Sequence, residues 1–220
     1  MAGANDERYR DRTRERLLFA ANTIVTKEGL GALQARRVSQ DAECSIGTLY
    51  NIFGDIHGLI LQTNAHTLQE LGAVLVTAAR RASDADLETR LNTLAVAYLD
   101  FATVNQLRWR AVFEHRLPDE RTLDESYVED RRRLLALIET QLELAIEDPQ
   151  ARADAAHALF ASVHGIVLLS LDAKLGPFDP AECERRIRFI VGHVVVGLNK
   201  AKPRSQSERV TFPGKYDLKQ

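Results

Sequence analysis

The chain has 220 residues, 45% of them hydrophobic and 27% charged, with a formal net charge of −2. That length supports a sizeable core, in one domain or in a small one fused to a larger one, and the near-neutral balance gives no bulk electrostatic pull towards nucleic acid or a membrane surface. The opening MAGANDERYR lacks the apolar centre of a signal peptide, the apolar run Ile166–Leu171 falls well short of the roughly 20 residues that span a bilayer, and two distant cysteines, Cys44 and Cys183, without metal-ligand spacing suit a reduced, cytoplasmic protein.

The periodicity predicts a first helix over 8–28, with Leu17, Ala21, Ile24 and Val25 as its buried stripe and Gly29 as its C-cap. Its N-terminal half carries Arg8, Arg12 and Arg16 at a four-residue spacing, with Arg10 and Arg14 in a second stripe. These arginines either pair with Asp11 and Glu15 on a solvated face or lie along a phosphate backbone. Counting does not decide, because residues 1–60 hold eight Arg/Lys and eight Asp/Glu.

Two short apolar patterns follow. Ala35, Val38, Ser39 and Ala42 fall at i, i+3, i+4, i+7, and after a three-residue break the pattern restarts at Ile46, Leu49, Tyr50 and Phe53. Ser45 is placed to N-cap the second helix. Neither helix is long enough to be stable alone, so both must pack on something. On the second, Gly47, Thr48 and Asn51 point away from the apolar stripe. A helical glycine costs about 1 kcal/mol against alanine, which makes sense where an outside surface must approach the backbone closely. Thr48, Asn51 and the Tyr50 hydroxyl suit phosphates or base edges. The pair reads as a helix-turn-helix with its second helix shaped for the major groove.

The rest reads as a larger helical body. A fourth helix runs from Asp55 to about Arg81. Ser83-Asp84 is read as the cap of a helix over 85–105, followed by a short piece from Leu107 to Arg116 and a long helix over about 120–147. Two final helices, 150–173 and 180–200, carry apolar residues on more than one side (Phe189 and Val196 are left over on the last), so each is expected to face both the body and a second protomer. Residues 201–220 form a tail with five basic and two acidic residues. The fold class is therefore all-α: a three-helix helix-turn-helix head over 1–54, a helical body over 55–200 and a flexible tail.

The stretch SIGTLYNIF, preceded by a helix ending at Ala42 and followed by a new helix near Ile56, resembles the recognition helix of the TetR family of transcriptional regulators, over about residues 10–65. The resemblance implies a head that binds a pseudo-palindromic double-stranded DNA operator and a body that binds a small-molecule effector and forms a homodimer, with repression as the default. The family's DNA-contacting positions fall on Gln34, Arg36, Ser45, Gly47, Thr48, Tyr50 and Asn51. Two departures stand out: Ala42-Glu43-Cys44 replaces the usual Ala-Gly-Val, and the usual lysine falls on Ile56, with His57 the nearest substitute.

In the body, Tyr98, Phe101, Trp109, Phe113, His115, Phe160 and His164 sit on helices expected to converge, either as plain core or as an apolar effector site. Segments such as Phe113–Leu117 and His164-Gly165 resemble parts of family bodies where such a histidine borders the cavity; a tryptophan common three residues earlier is Ala161 here. His157, His164 and His193 are too far apart for a metal site. No cofactor motif, glycine-rich phosphate loop or nucleophile elbow is present, so no enzyme and no cofactor is expected. Two other readings remain open: a head turned to a protein partner, and a small enzyme using His115 with Glu114.

Overall fold

The computed structural model of the protein describes residues 2–118 and 125–200, and every regular element within them is helical. Helix α1 spans Ala2–Glu28, starting earlier than the periodicity indicates, and stops at Gly29, whose φ of 82° is open to glycine at little cost. A 3-10 turn at Leu30–Ala32 leads into α2 (Ala35–Asp41), α3 (Ile46–Phe53) and α4 (Ile56–Arg81). Leu17, Ile24 and Val25 of α1 bury against Val38, Leu49 and Leu59, each such side chain contributing about 1.5–3 kcal/mol. This is the support that two short helices need. Ser45 Oγ accepts the Thr48 amide at 3.0 Å, the cap expected of it, and Asp55 caps α4 by accepting from the Gly58 amide at 2.8 Å.

The turn between α2 and α3 is a Schellman motif. The Cys44 amide donates to Ser39 C=O (2.9 Å) and the Glu43 amide to Gln40 C=O (3.1 Å), which forces Glu43 to a φ of 52°. That position favours glycine. A left-handed non-glycine residue costs about 1–2 kcal/mol.

The body comprises α5 (Leu87–Val104), α6 (Gln106–Glu114), α7 (Glu125–Leu142), α8 (Pro149–Leu171) and α9 (Pro180–Lys200). The cap of α5 is Asp86 rather than Ser83-Asp84: its Oδ1 accepts from the Thr89 amide at 2.7 Å, three residues on, where an unpaired first-turn donor lies. Helix α7 ends at Leu142 and the chain turns before Asp148 caps α8. The expected start of that helix at about 120, and the tail 201–220, lie outside the described residues.

Helix α8 is apolar on more than one side, as its sequence indicates. With a mean hydropathy of 1.5 over its most apolar 18 residues, it is long and apolar enough to cross a membrane by length and composition, although its longest unbroken apolar run is short. In the fold it packs between α7 and α9 and supplies Ala156, Leu159, Val163 and Val167 to the body core. Leu169 on α8 and Phe189 and Val196 on α9 stay exposed, Phe189 by 65%.

Helix α6 belongs to both halves. Trp109 is buried in the body core, whereas Ala111 is buried in the head core. The Ala111 carbonyl lies in the last turn of α6, where no later amide of the helix reaches it. The buried Asn64 side chain of α4 donates to it at 2.9 Å.

Glu43→Gly is expected to stabilise the chain by up to about 1 kcal/mol, the relief of left-handed strain less the added chain entropy of glycine; an unchanged or lowered denaturant midpoint would contradict this.

Candidate DNA-binding face and effector cavity

Gln34, Arg36, Ser45, Gly47, Tyr50 and Asn51 are exposed and Thr48 is half-buried, so the helix-turn-helix packing leaves one polar face open. Two arginines in tandem have different fates. Arg37 is tied to Glu28 at 2.8 Å, whereas Arg36 is exposed and without an ion pair among the described residues. Gly47 is the informative position. A Cβ built there meets only Ser45 Oγ, at an ordinary 3.6 Å. Among the described residues, neither packing nor backbone conformation calls for a glycine at this position.

His57 takes a different place from the other predicted contacts. It is half-buried at the start of α4, its ring centroid 5.2 Å from that of His115, at the seam between head and body. This also corrects the placement of His115. Helix α6 ends at Glu114 and the backbone becomes extended at His115 (φ −68°, ψ 121°), carrying the imidazole away from the body centre. Glu114 lies 4.0 Å from Arg110, one turn earlier on the same helix.

Five of the predicted body residues do converge. Trp109 Nε1 donates to Tyr98 Oη at 2.9 Å, and Tyr98 Oη lies 2.7 Å from His164 Nδ1. Because the indole can only donate, the tyrosine oxygen accepts from it and shares a second hydrogen bond with the imidazole Nδ1. Phe113 and Phe160 close around the same ring at 4.3 and 5.5 Å between centroids. Burial pushes the His164 pKa below its ordinary 6.5 and the Tyr98 pKa well up, so the pair is neutral near pH 7. Phe101 is buried in the body core outside this cluster, and Ala161 is exposed.

Tyr98 and Phe160 also border an apolar cavity of about 60 Å³. Its other walls are aliphatic, including Leu71 and Leu75 of α4, Leu94 of α5, Leu134 and Ile138 of α7 and Val191 of α9. No charged group reaches it, so a ligand there is selected by shape and hydrophobicity. The sequence does not reveal that the cavity is framed mainly by leucines, because leucines at helical spacing read as ordinary core.

The Tetracyclin repressor-like C-terminal domain matches residues 91–194. The transcriptional regulator BetI of Burkholderia thailandensis is 30% identical over 173 residues, covering 77% of this chain and 87% of that protein. BetI of Vibrio parahaemolyticus is 27% identical, covering 69% and 77%. Among solved structures, a Rhodococcus sp. RHA1 protein of unknown function superposes with a TM-score of 0.67 at 21% identity, over 83% of this chain and 94% of that one. The multidrug binding protein EbrR, complexed with imidazole, does so with a TM-score of 0.57 at 22% identity, over 82% and 93%. The protein is a helix-turn-helix regulator of transcription and not an enzyme. It belongs to the TetR family, and the curated relatives it matches are BetI regulators.

Gly47→Ala is expected to raise thermal stability, by about 1 kcal/mol from helix propensity, while weakening binding to duplex DNA; stronger or equal DNA binding by a well-folded variant would show that nothing approaches that backbone closely. His164 gives a pH signature through Trp109, the single tryptophan of the chain, whose ring lies 5.2 Å away. Protonated imidazole quenches indole fluorescence, so emission should fall with acid around a midpoint below 6.5, and His164→Gln should abolish the transition. Because the folded-state pKa is depressed, the stability tied to neutral His164 is full above about 6.5 and is lost as pH falls through the folded value.

Proposed function

We propose that the protein is a ligand-responsive regulator, a repressor by default, that binds a pseudo-palindromic DNA operator as a homodimer and leaves it when a small apolar effector enters the body. The head, residues 1–54, carries the DNA contacts Gln34, Arg36, Ser45, Gly47, Thr48, Tyr50 and Asn51; the body, 55–200, carries the effector site and the dimer surface. The observation that carries this reading is a capped helix whose exposed face has a glycine no internal contact requires. Proteins of this class work in the cytoplasm, where the operator is.

The exposed apolar residues of α8 and α9 support a two-fold interface, Leu169, Phe189 and Val196 meeting their counterparts. Such a dimer presents two recognition helices about 34–36 Å apart, one turn of DNA. His57 sits too deep in the seam to serve as a main phosphate contact and is better read as part of the joint.

A cavity of about 60 Å³ is far below the roughly 300–1,000 Å³ of a small-molecule site, so binding must widen it. Helix α7 supports the role of movable wall, since Leu134, Leu137 and Ile138 are only partly buried. An effector that displaces Tyr98 or Phe160 disturbs Trp109 and with it α6, whose Ala111 is locked into the head core and bonded to Asn64. A shift of α6 against α4 changes the head spacing. The effector needs a differential affinity for the two arrangements of about 1–3 kcal/mol to couple the sites.

The test is selection of random duplexes by the purified protein, followed by a salt titration on the enriched sequence. An inverted repeat bound with steeply salt-dependent affinity is expected, and Thr48→Ala with Tyr50→Ala should abolish its recognition while sedimentation still reports a dimer. Retention of specific binding by that double variant would refute the placement of the recognition helix.

A further inference from the structure

Resting on the operator reading above, the geometry points to a DNA contact outside the helix-turn-helix: we propose that Arg10, with Tyr9, holds a backbone phosphate of the bound duplex in the groove between α1 and α3. The inner face of α1 is apolar where it covers the head, at Leu17, Ala21 and Ile24, and its last buried residue towards the N-terminus is Thr13, whose hydroxyl turns back to the Tyr9 carbonyl at 2.9 Å. One turn further on, that face continues as Tyr9 and Arg10, and no described residue covers it: Tyr9 is 61% exposed. Opposite stand Thr48, Asn51 and Ile52 of α3, so an open groove of about 360 Å³ has the N-terminal part of α1 as one wall and the recognition helix as the other.

The lining is a set of partners for an anion. Among the described residues it holds a guanidinium, a phenol hydroxyl and the Asn51 amide, and no carboxylate. Arg10 reaches the Asn51 carbonyl only at 3.5 Å, the limit of a hydrogen bond, which commits one of its five donors. No ion pair with Asp11 or Glu15 forms, although those acids neighbour the arginine stripe. Arg14 shows what a structural arginine here looks like: it donates to Gln62 Oε1 at 2.7 Å and lies over the Phe53 ring at 5.8 Å. Arg10 has no such anchorage among the described residues. Since Thr48 and Asn51 belong to the face presented to the major groove, the anion at this edge is a phosphate of the strand flanking that groove.

The contact carries no sequence information, so its test separates it from operator recognition. Wild type, Arg10→Ala and Arg10→Lys, matched by thermal melting to confirm folding, are titrated with salt on both the selected repeat and an unrelated duplex. Arg10→Ala is expected to weaken binding about three- to tenfold on both duplexes and to reduce the slope of log affinity against log salt by about 1, and Arg10→Lys is expected to restore the slope. Loss of affinity with an unchanged slope would mean that Arg10 only braces Asn51, and no change at all would mean that it faces solvent; either overturns the proposal. If the wild type selects no repeat yet Arg10→Ala still flattens the slope on any duplex, the operator reading falls and the phosphate contact stands. If the wild type binds no duplex at low salt, both fall.

Discussion

Asn64 and Ala111 meet across the seam between head and body, and much of the architecture is arranged so that they can. The Ala111 carbonyl is buried in the last turn of α6, beyond the reach of any later amide in its own helix. Left unpaired there it would cost about 1–3 kcal/mol. A side-chain amide from the middle of α4 removes that cost and in doing so sets how α4 lies against α6. The aromatic cluster on one side of α6 and the head core on the other are thereby held in one register.

The charge distribution follows a similar economy. The head is neutral by count, and its chemistry depends on which charges are already paired. Arg37 is spent on Glu28 and Arg14 on Gln62, while Arg36 and Arg10 are left to the surface. Glu43 adds a negative charge at the turn and holds a strained backbone there. The charge opposes a phosphate partner and the strain costs folding stability, so the proposed DNA contact rests on a few well-placed donors rather than on a broad basic field.

The head was the most legible part of the sequence because its signals are local. A three-residue break between two 3.6-period stripes, a serine three residues before an amide it can cap, and a glycine at a C-cap each depend on neighbours within a turn or two. Glu43 was legible through the resemblance, which places it where the family has a glycine, and its backbone is left-handed. The body was legible in its helices and less so in its cavity. Tyr98, Trp109, Phe113, Phe160 and His164 converge as their spacing allows, but no local rule distinguishes Phe101, which faces plain core, from Tyr98 three residues earlier. His115 was misplaced because one extended residue after α6 redirects it. The α5 cap was read two residues early because Ser83, Asp84 and Asp86 are all competent, and only the backbone at Asp86 selects among them.

Helix α8 has a consequence for how the chain must be handled and made. Its most apolar window has the hydropathy of a membrane segment, yet only 28% of that window is buried within one protomer. A lone subunit therefore carries a wetted apolar strip, continued by Phe189 and Val196 of α9, that favours any surface able to cover it. In the proposed dimer, pairing with a sister chain competes with adsorption, chaperones and irregular clumping for that strip. That proposal makes the midpoint of unfolding climb with protein concentration, and makes dilution, more than heat, the condition under which the protein is fragile.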